Sequence, residues 1–217
     1  IRIVIGPVFN ENLIYLNELS NLTFLSLTNK NDNRSSNIIN AGINATSQLN
    51  AIKKFIELNE IKKTIFLTSD SNYKNEIIQA ISNSRIKIIE NYIYDTDPTK
   101  LTKQIEKITN YERRKQNLED EIKRLEESDE NNIEKLIERL KKKDTLGNVN
   151  FDSVIIADFD ESLKSVTTSL LYTDILPKEK YFITLNQWFD ESLLKETNLQ
   201  PIYFPSINKE NYEDFSL

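Results

Sequence analysis

Short apolar runs rich in β-branched side chains alternate along this chain with longer segments whose apolar residues recur at helical intervals, and few architectures satisfy that alternation. Ile1 to Val8, Leu22 to Leu27, Thr64 to Thr68, Ile86 to Tyr94, Val154 to Ala157, Tyr181 to Leu185 and Ile202 to Phe204 read as strands. The first is an apolar run with β-branched side chains and reads as a strand buried on both faces. Helices are expected between the strands. One is capped by Asn10 and carries Leu13, Leu16 and Leu19 on one side; another starts at Thr46 or Ser47 and carries Leu49, Ile52, Phe55, Ile56 and Leu58. A third, Asn72 to Ile81, turns Ile77 and Ile78 inward, and Leu163 to Tyr172 and Phe189 to Leu194 supply two more. Thr28 to Asn40 is polar and reads as a loop. Strand, helix, strand in succession demands a crossover and therefore parallel pairing. The predicted fold class is α/β, with parallel sheets sandwiched between helices.

Glycine and proline punctuate this pattern. Gly6-Pro7 ends the first strand, since proline restricts the residue before it and donates no ladder hydrogen bond. Asp97 with Pro98 is a helix start, the carboxylate capping and the ring occupying the first helical position. Gly147 suits a helix C-cap. Pro201 and Pro205 bracket the last strand, which is therefore expected at the periphery of its sheet.

From Thr99 to Lys143 the rhythm changes. Leu101, Ile108, Lys115 and Ile122 fall seven apart, as do Gln104, Tyr111, Leu118 and Leu125, so they occupy the two seam positions of a heptad. Gln104 and Lys115 interrupt the seam, which favours a helix lying on the protein over a dimeric zipper. Ile133, Leu136, Ile137 and Leu140 begin a second amphipathic helix. The expected product is a helical hairpin, its charged faces in water or docked on a partner.

Composition narrows the chemistry. The 217 residues contain no His, Cys or Met, which removes imidazole bases, thiolate nucleophiles and disulfides. Structural zinc draws its ligands from Cys and His and is equally disfavoured. A formal net charge of -6 repels a phosphate backbone, so no nucleic acid partner is expected. No stretch reaches the roughly 18 to 20 apolar residues that cross a bilayer. Any targeting sequence is expected upstream, and membrane contact only through an upstream anchor.

Ligands of open parallel sheets collect beyond the carboxyl ends of the strands. That rule selects the region of Pro7 and Phe9, Thr28 and Asn29, Ser69, Asp70 and Tyr73, and Asn186, Gln187 and Trp188. Ser69, Asp70 and Tyr73 offer a hydroxyl, a carboxylate and a phenol to a small polar ligand, or cap the next helix. Asn186-Gln187-Trp188 joins amides to an aromatic face, fit for a sugar or peptide, or the indole lies half-buried under the next helix. Asp158, Asp160 and Glu161 lack the surroundings of a calcium loop and read as a solvated turn. No catalytic residue, cofactor or metal ligand is assigned. Paired carboxylates can hydrolyse without histidine, so a hydrolase stands as a remote alternative. Tyr111, Arg113 and Arg114, on the charged insertion, are the partner-binding candidates, although neighbouring Glu112, Glu119, Asp120 and Glu121 also allow intrahelical pairs.

The order of several short motifs resembles the penicillin-binding-protein activator family of lipoproteins, on the type I periplasmic-binding-protein fold. Those motifs are Ile5-Gly6-Pro7-Val8-Phe9, Leu25-Ser26-Leu27-Thr28-Asn29, Gly42 with Gln48, Tyr111-Glu112-Arg113-Arg114, Asp144-Thr145-Leu146-Gly147, Phe151-Asp152-Ser153-Val154, Leu170-Leu171-Tyr172-Thr173-Asp174 and Gln187-Trp188. The resemblance implies two α/β lobes joined by crossings, residence in the periplasm, anchoring to the outer membrane as a lipoprotein, and contact with a bifunctional peptidoglycan synthase, a penicillin-binding protein. The alternative it implies is a receptor delivering a small polar ligand to an ABC-type transporter. Residues 1-40 are then a partial first lobe, 41-204 a second lobe with the helical insertion at 99-143, and 205-217 a return segment toward the first lobe. The helix after Thr68 lacks the glycine that commonly follows its tyrosine in amino-acid receptors of this fold, which speaks against an amino-acid ligand. A first lobe of two strands and one helix is expected to leave sheet edges open and an apolar face uncovered.

Overall fold

The computed structural model describes residues 2–30, 35–128, 133–185 and 195–206. Two parallel sheets organise them, one of three strands in the order β1-β2-β3 and one of five in the order β5-β4-β6-β7-β8. The first comprises β1 (Ile3–Ile5), β2 (Thr23–Ser26) and β3 (Ile38–Asn40). The second comprises β4 (Thr64–Ser69), β5 (Glu90–Tyr94), β6 (Ser153–Ala157), β7 (Tyr181–Thr184) and β8 (Ile202–Tyr203). All pairings among them are parallel, as the crossovers require.

The second sheet is covered on both faces because its central strands carry apolar side chains on both. Phe66, Ile155 and Ile183 pack under α1 (Ala45–Leu58) and α2 (Lys74–Ser84), against Leu49, Ile52 and Ile77. Ile65, Val154 and Phe182 face the other way, onto α3 (Pro98–Ile108) and α6 (Asp160–Tyr172), through Leu101, Ile105, Leu163 and Val166. Alternate residues of one strand thus serve two cores. Asp97 caps α3 by accepting from the amides of Thr99 and Lys100, with Pro98 in the first turn, as the sequence predicts. β8 lies at the sheet edge, where its flanking prolines place it.

The first sheet differs from its sequence reading in three respects. Thr28 to Asn40 is not all loop, because Ile38–Asn40 forms β3 and pairs with Phe24, Leu25 and Ser26. The segment after Pro7 is a 3-10 helix, Asn10–Leu16, with Phe9 rather than Asn10 at its N-cap. Only Leu13 of that helix is buried, against Phe24 and Ile38. Finally, β1 is exposed and not buried on both faces: Ile5 is 73% accessible, and Ile39, two strands away in the same row, is 54% accessible. The short 3-10 helix covers one side only, and the opposite face has no helix against it among the described residues.

The insertion also departs from a continuous seam. α3 ends at Ile108, Asn110 adopts φ 50°, and the chain turns into α4 (Tyr111–Glu126) and α5 (Ile133–Leu140). The heptad spacing spans two helices of different partners: Leu101 belongs to the core under the sheet, whereas Leu118 and Leu125 are buried on the α4 side of the hairpin. Gly147 has φ 114° but stands seven residues beyond the end of α5, in the return to β6, so it caps no helix. In α2, Ile77 is buried while Ile78 is 38% accessible, so one isoleucine of the pair faces outward.

Candidate functional site

The second sheet has a topological switch point between its two central strands. β4 leads through α2 to β5 on one side, and β6 leads through α6 to β7 on the other, with the two helices on opposite faces. The connections diverge, and a crevice opens beyond the carboxyl ends of β4 and β6. Ser69 and Asp70 stand at one lip and Asp158 and Phe159 at the other.

Asp158 is 3% accessible and does not belong to a solvated turn. One of its oxygens accepts the hydroxyl of Tyr94, itself buried at the end of β5. The other accepts the amide of Phe159 at 2.9 Å. Burial first, then the charge of Asp158 and the hydrogen bond to it, raise the Tyr94 phenol well above its ordinary value, so the tyrosine is a fixed donor. These two bonds set the backbone from which the Phe159 ring projects. The ring meets Tyr73 edge to face, centroids 6.0 Å apart at 84°, and Tyr73 is half exposed. An aromatic wall therefore stands over the crevice.

Ser69 is buried, whereas Asp70 is exposed and pairs with Lys74 at 2.5 Å, one helical turn onward. The Asp70 amide donates to the carbonyl of Tyr94 at 2.9 Å, tying the two strand ends together. On the first sheet, the Pro7 carbonyl accepts from the Ser26 hydroxyl at 3.0 Å and from the Leu27 amide at 3.1 Å. That fastening leaves Phe9 67% accessible, and Thr28 buried with Asn29 exposed beside it. The crossing from β3 to α1 passes so near that a Cβ on Gly42 would lie 2.0 Å from the Thr28 carbonyl oxygen.

Asn29 and Lys30 then form one wall of a cavity of about 530 Å3, whose other walls are the start of α1 at Asn44 and the outer face of α2. Asn186, Gln187 and Trp188 lie outside the described residues. Of the insertion candidates, Arg113 is exposed and Tyr111 half-buried against Tyr172, ring centroids 5.5 Å apart. Arg114 is turned inward. It donates to the carbonyls of Thr173 (3.0 Å) and Asp174 (3.3 Å) and to the Thr145 hydroxyl (2.5 Å), at the carboxyl end of α6. A cation there completes the carbonyls that the helix leaves open and opposes its dipole. Phe159, Tyr94 and Arg114 carry no local signal of these roles, because each depends on residues distant in sequence; the strand-end rule alone points to the vicinity of Phe159.

No group of three or more His, Cys, Asp or Glu side chains able to hold a metal ion occurs among the described residues. No described helix is long and apolar enough to cross a membrane.

Two parallel sheets of unequal size, flanked by helices and joined at a crossing, define a periplasmic-binding-protein-like α/β fold. Solved structures agree on the fold. An ABC transporter substrate-binding protein from Desulfitobacterium hafniense superposes with TM-score 0.53 at 14% identity, over 87% of this chain and 47% of that one. The C-domain of LpoA from Haemophilus influenzae, described as a regulator of PBP1A, superposes with TM-score 0.55 at 10% identity, over 92% of this chain and 52% of that one. Full-length LpoA from the same organism gives 0.54 at 10% identity, over 92% and 30%. This chain thus spans about half or less of each structure. No sequence-family profile and no curated protein matches it.

Proposed function

We propose that the chain is part of a non-catalytic cell-envelope binding protein that regulates peptidoglycan synthesis by contact with a bifunctional synthase of the penicillin-binding-protein class. The observation that carries this reading is the seating of the α4 root of the insertion against α6. Arg114 fastens its root to α6 from inside, while Arg113, Lys103 and Lys107 stay on the outer side around a shallow groove of about 560 Å3 at the α3–α4 bend. A fixed, mixed-charge projection suits orientation-specific docking, in which charges set register and encounter rate more than raw affinity. Periplasmic residence, with an anchor to the outer membrane as a lipoprotein, belongs to the same reading. The likeness in fold to the LpoA C-domain supports it.

The test is co-purification of the full-length protein with a bifunctional synthase, repeated after removing α4 and α5 while keeping α3, which is part of the core. Loss of the complex with an intact lobe supports the reading; undiminished binding overturns it.

The second reading is a receptor delivering a small polar ligand to an ABC-type transporter. The switch-point crevice, with Asp70 and the Tyr73–Phe159 wall, favours it, and native mass spectrometry showing a retained small molecule would support it over docking. The absence of any retained ligand, together with a confirmed synthase complex, removes it.

A further inference from the structure

The outer face of α2 carries Asn75, Gln79 and Asn83, and all three line the cavity shared with Asn29 and Lys30. Their spacing of four residues stacks them in one row along the helix, about 6 Å apart at a rise of about 1.5 Å per residue. An extended peptide presents successive amides of one side about 6.6 Å apart, two residues of about 3.3 Å each. The two repeats nearly coincide. A primary carboxamide donates and accepts side by side, as a backbone N–H and C=O do, so each rung can take both groups of one peptide residue. Among the described residues none of these three carboxamides, nor that of Asn29 opposite, has a hydrogen-bond partner. From Asn75 to Asn83 the row extends about 12 Å, about four extended residue intervals, so a five-residue segment meets all three rungs and a tetrapeptide two of them.

We propose that this row is a ladder reading the main chain of an extended, uncharged peptide segment, held between α2 and the Asn29–Lys30 loop. The chemistry of the lining selects that class. Lys30 and Glu76 give one charge of each sign, which suits the two termini of a short peptide and gives no net attraction for phosphate or a dicarboxylate. Among the described residues no aromatic ring lines the cavity, so they offer no stacking platform for a sugar face. The ladder goes beyond synthase docking through the insertion and does not depend on it, because the two surfaces share no residue.

The experiment titrates the full-length protein with tetra-alanine, followed by nuclear magnetic resonance, against the same peptide N-methylated at alternate residues and against the neutral sugar chitotriose. Saturable binding of tetra-alanine, at least tenfold weaker after N-methylation and at least tenfold weaker in the Asn75→Ala/Gln79→Ala double variant, supports the ladder. Both positions are exposed and alanine favours helix, so circular dichroism of the variant is expected to be unchanged. No binding of tetra-alanine, indifference to N-methylation or to the double variant, or binding of chitotriose alone overturns it. A synthase complex that persists in the double variant leaves the docking reading standing whatever the peptide does.

Discussion

Gly42 and Thr28 touch backbone to backbone: a Cβ on Gly42 would lie 2.0 Å from the Thr28 carbonyl oxygen and 2.4 Å from its carbonyl carbon. The crossing into the second lobe is therefore pressed against the loop that leaves β2, and the loop cannot retreat, since Pro7 and Ser26 hold its start.

Gly42→Ala is accordingly expected to destabilise the chain by about 1–3 kcal/mol, the range for forcing extra atoms into a packed site. Denaturant unfolding measures it, and a loss near zero would show that the crossing can shift freely.

Arg114→Ala removes the donor shared by Thr173, Asp174 and Thr145 and leaves Asp174 without its cation partner. Losing hydrogen bonds from a charged donor costs about 1.5–3 kcal/mol, and the partly exposed Asp174 keeps the Thr145 hydroxyl. Arg114→Lys keeps the charge but not the planar fork, so it recovers only part of the loss. Thermal unfolding orders the three proteins, and hydrogen exchange in α4 is expected to rise with the same order.

The buried Tyr94 phenol sets an alkaline limit. Its folded pKa lies above the ordinary value of 10.0, so its contribution is complete below that pH and declines as pH rises through and above it. Tyr94→Phe removes this alkaline decline and costs about 1.5–3 kcal/mol at neutral pH, because the Asp158 carboxylate loses its hydroxyl donor. Stability measured against pH for both proteins tests the slope.

Tyr73 and Phe159 are expected to couple. A double-mutant cycle with Tyr73→Leu and Phe159→Leu reads an interaction of about 0.5–1.5 kcal/mol. Additive losses would mean that the rings act separately.

Ile5 and Ile39 stand in one row on the uncovered face of the first sheet. Ile5→Thr with Ile39→Thr is expected to lower dye binding and self-association of the 217-residue chain without measurable loss of stability. Light scattering and dye fluorescence decide.

The second sheet is legible in the sequence because its strands are short, apolar and bounded by strong signals such as Asp97 and Pro98. β3 is not legible: Ile38 and Ile39 follow a polar stretch and form a strand only because Phe24, Leu25 and Ser26 offer a parallel edge. The heptad from Leu101 to Leu125 fails as one helix for a different reason, since a seven-residue spacing survives a break when both halves bury an apolar side. Asp158 shows the limit for the site. Local composition reads it as solvated, whereas it is buried against the Tyr94 hydroxyl, 64 residues earlier, and the Phe159 amide.

The bend at Asn110 has one more consequence. A single residue at φ 50° turns the chain into the insertion, and Arg114 with the Tyr111–Tyr172 ring contact seats its root on the body, while every strand of the five-stranded sheet finds its neighbours without α4 or α5. Such a joint makes the projection beyond it interchangeable: a hairpin of another length or sequence, grafted so that Tyr111 and Arg114 stay in place, is expected to leave the fold intact and change only what it touches.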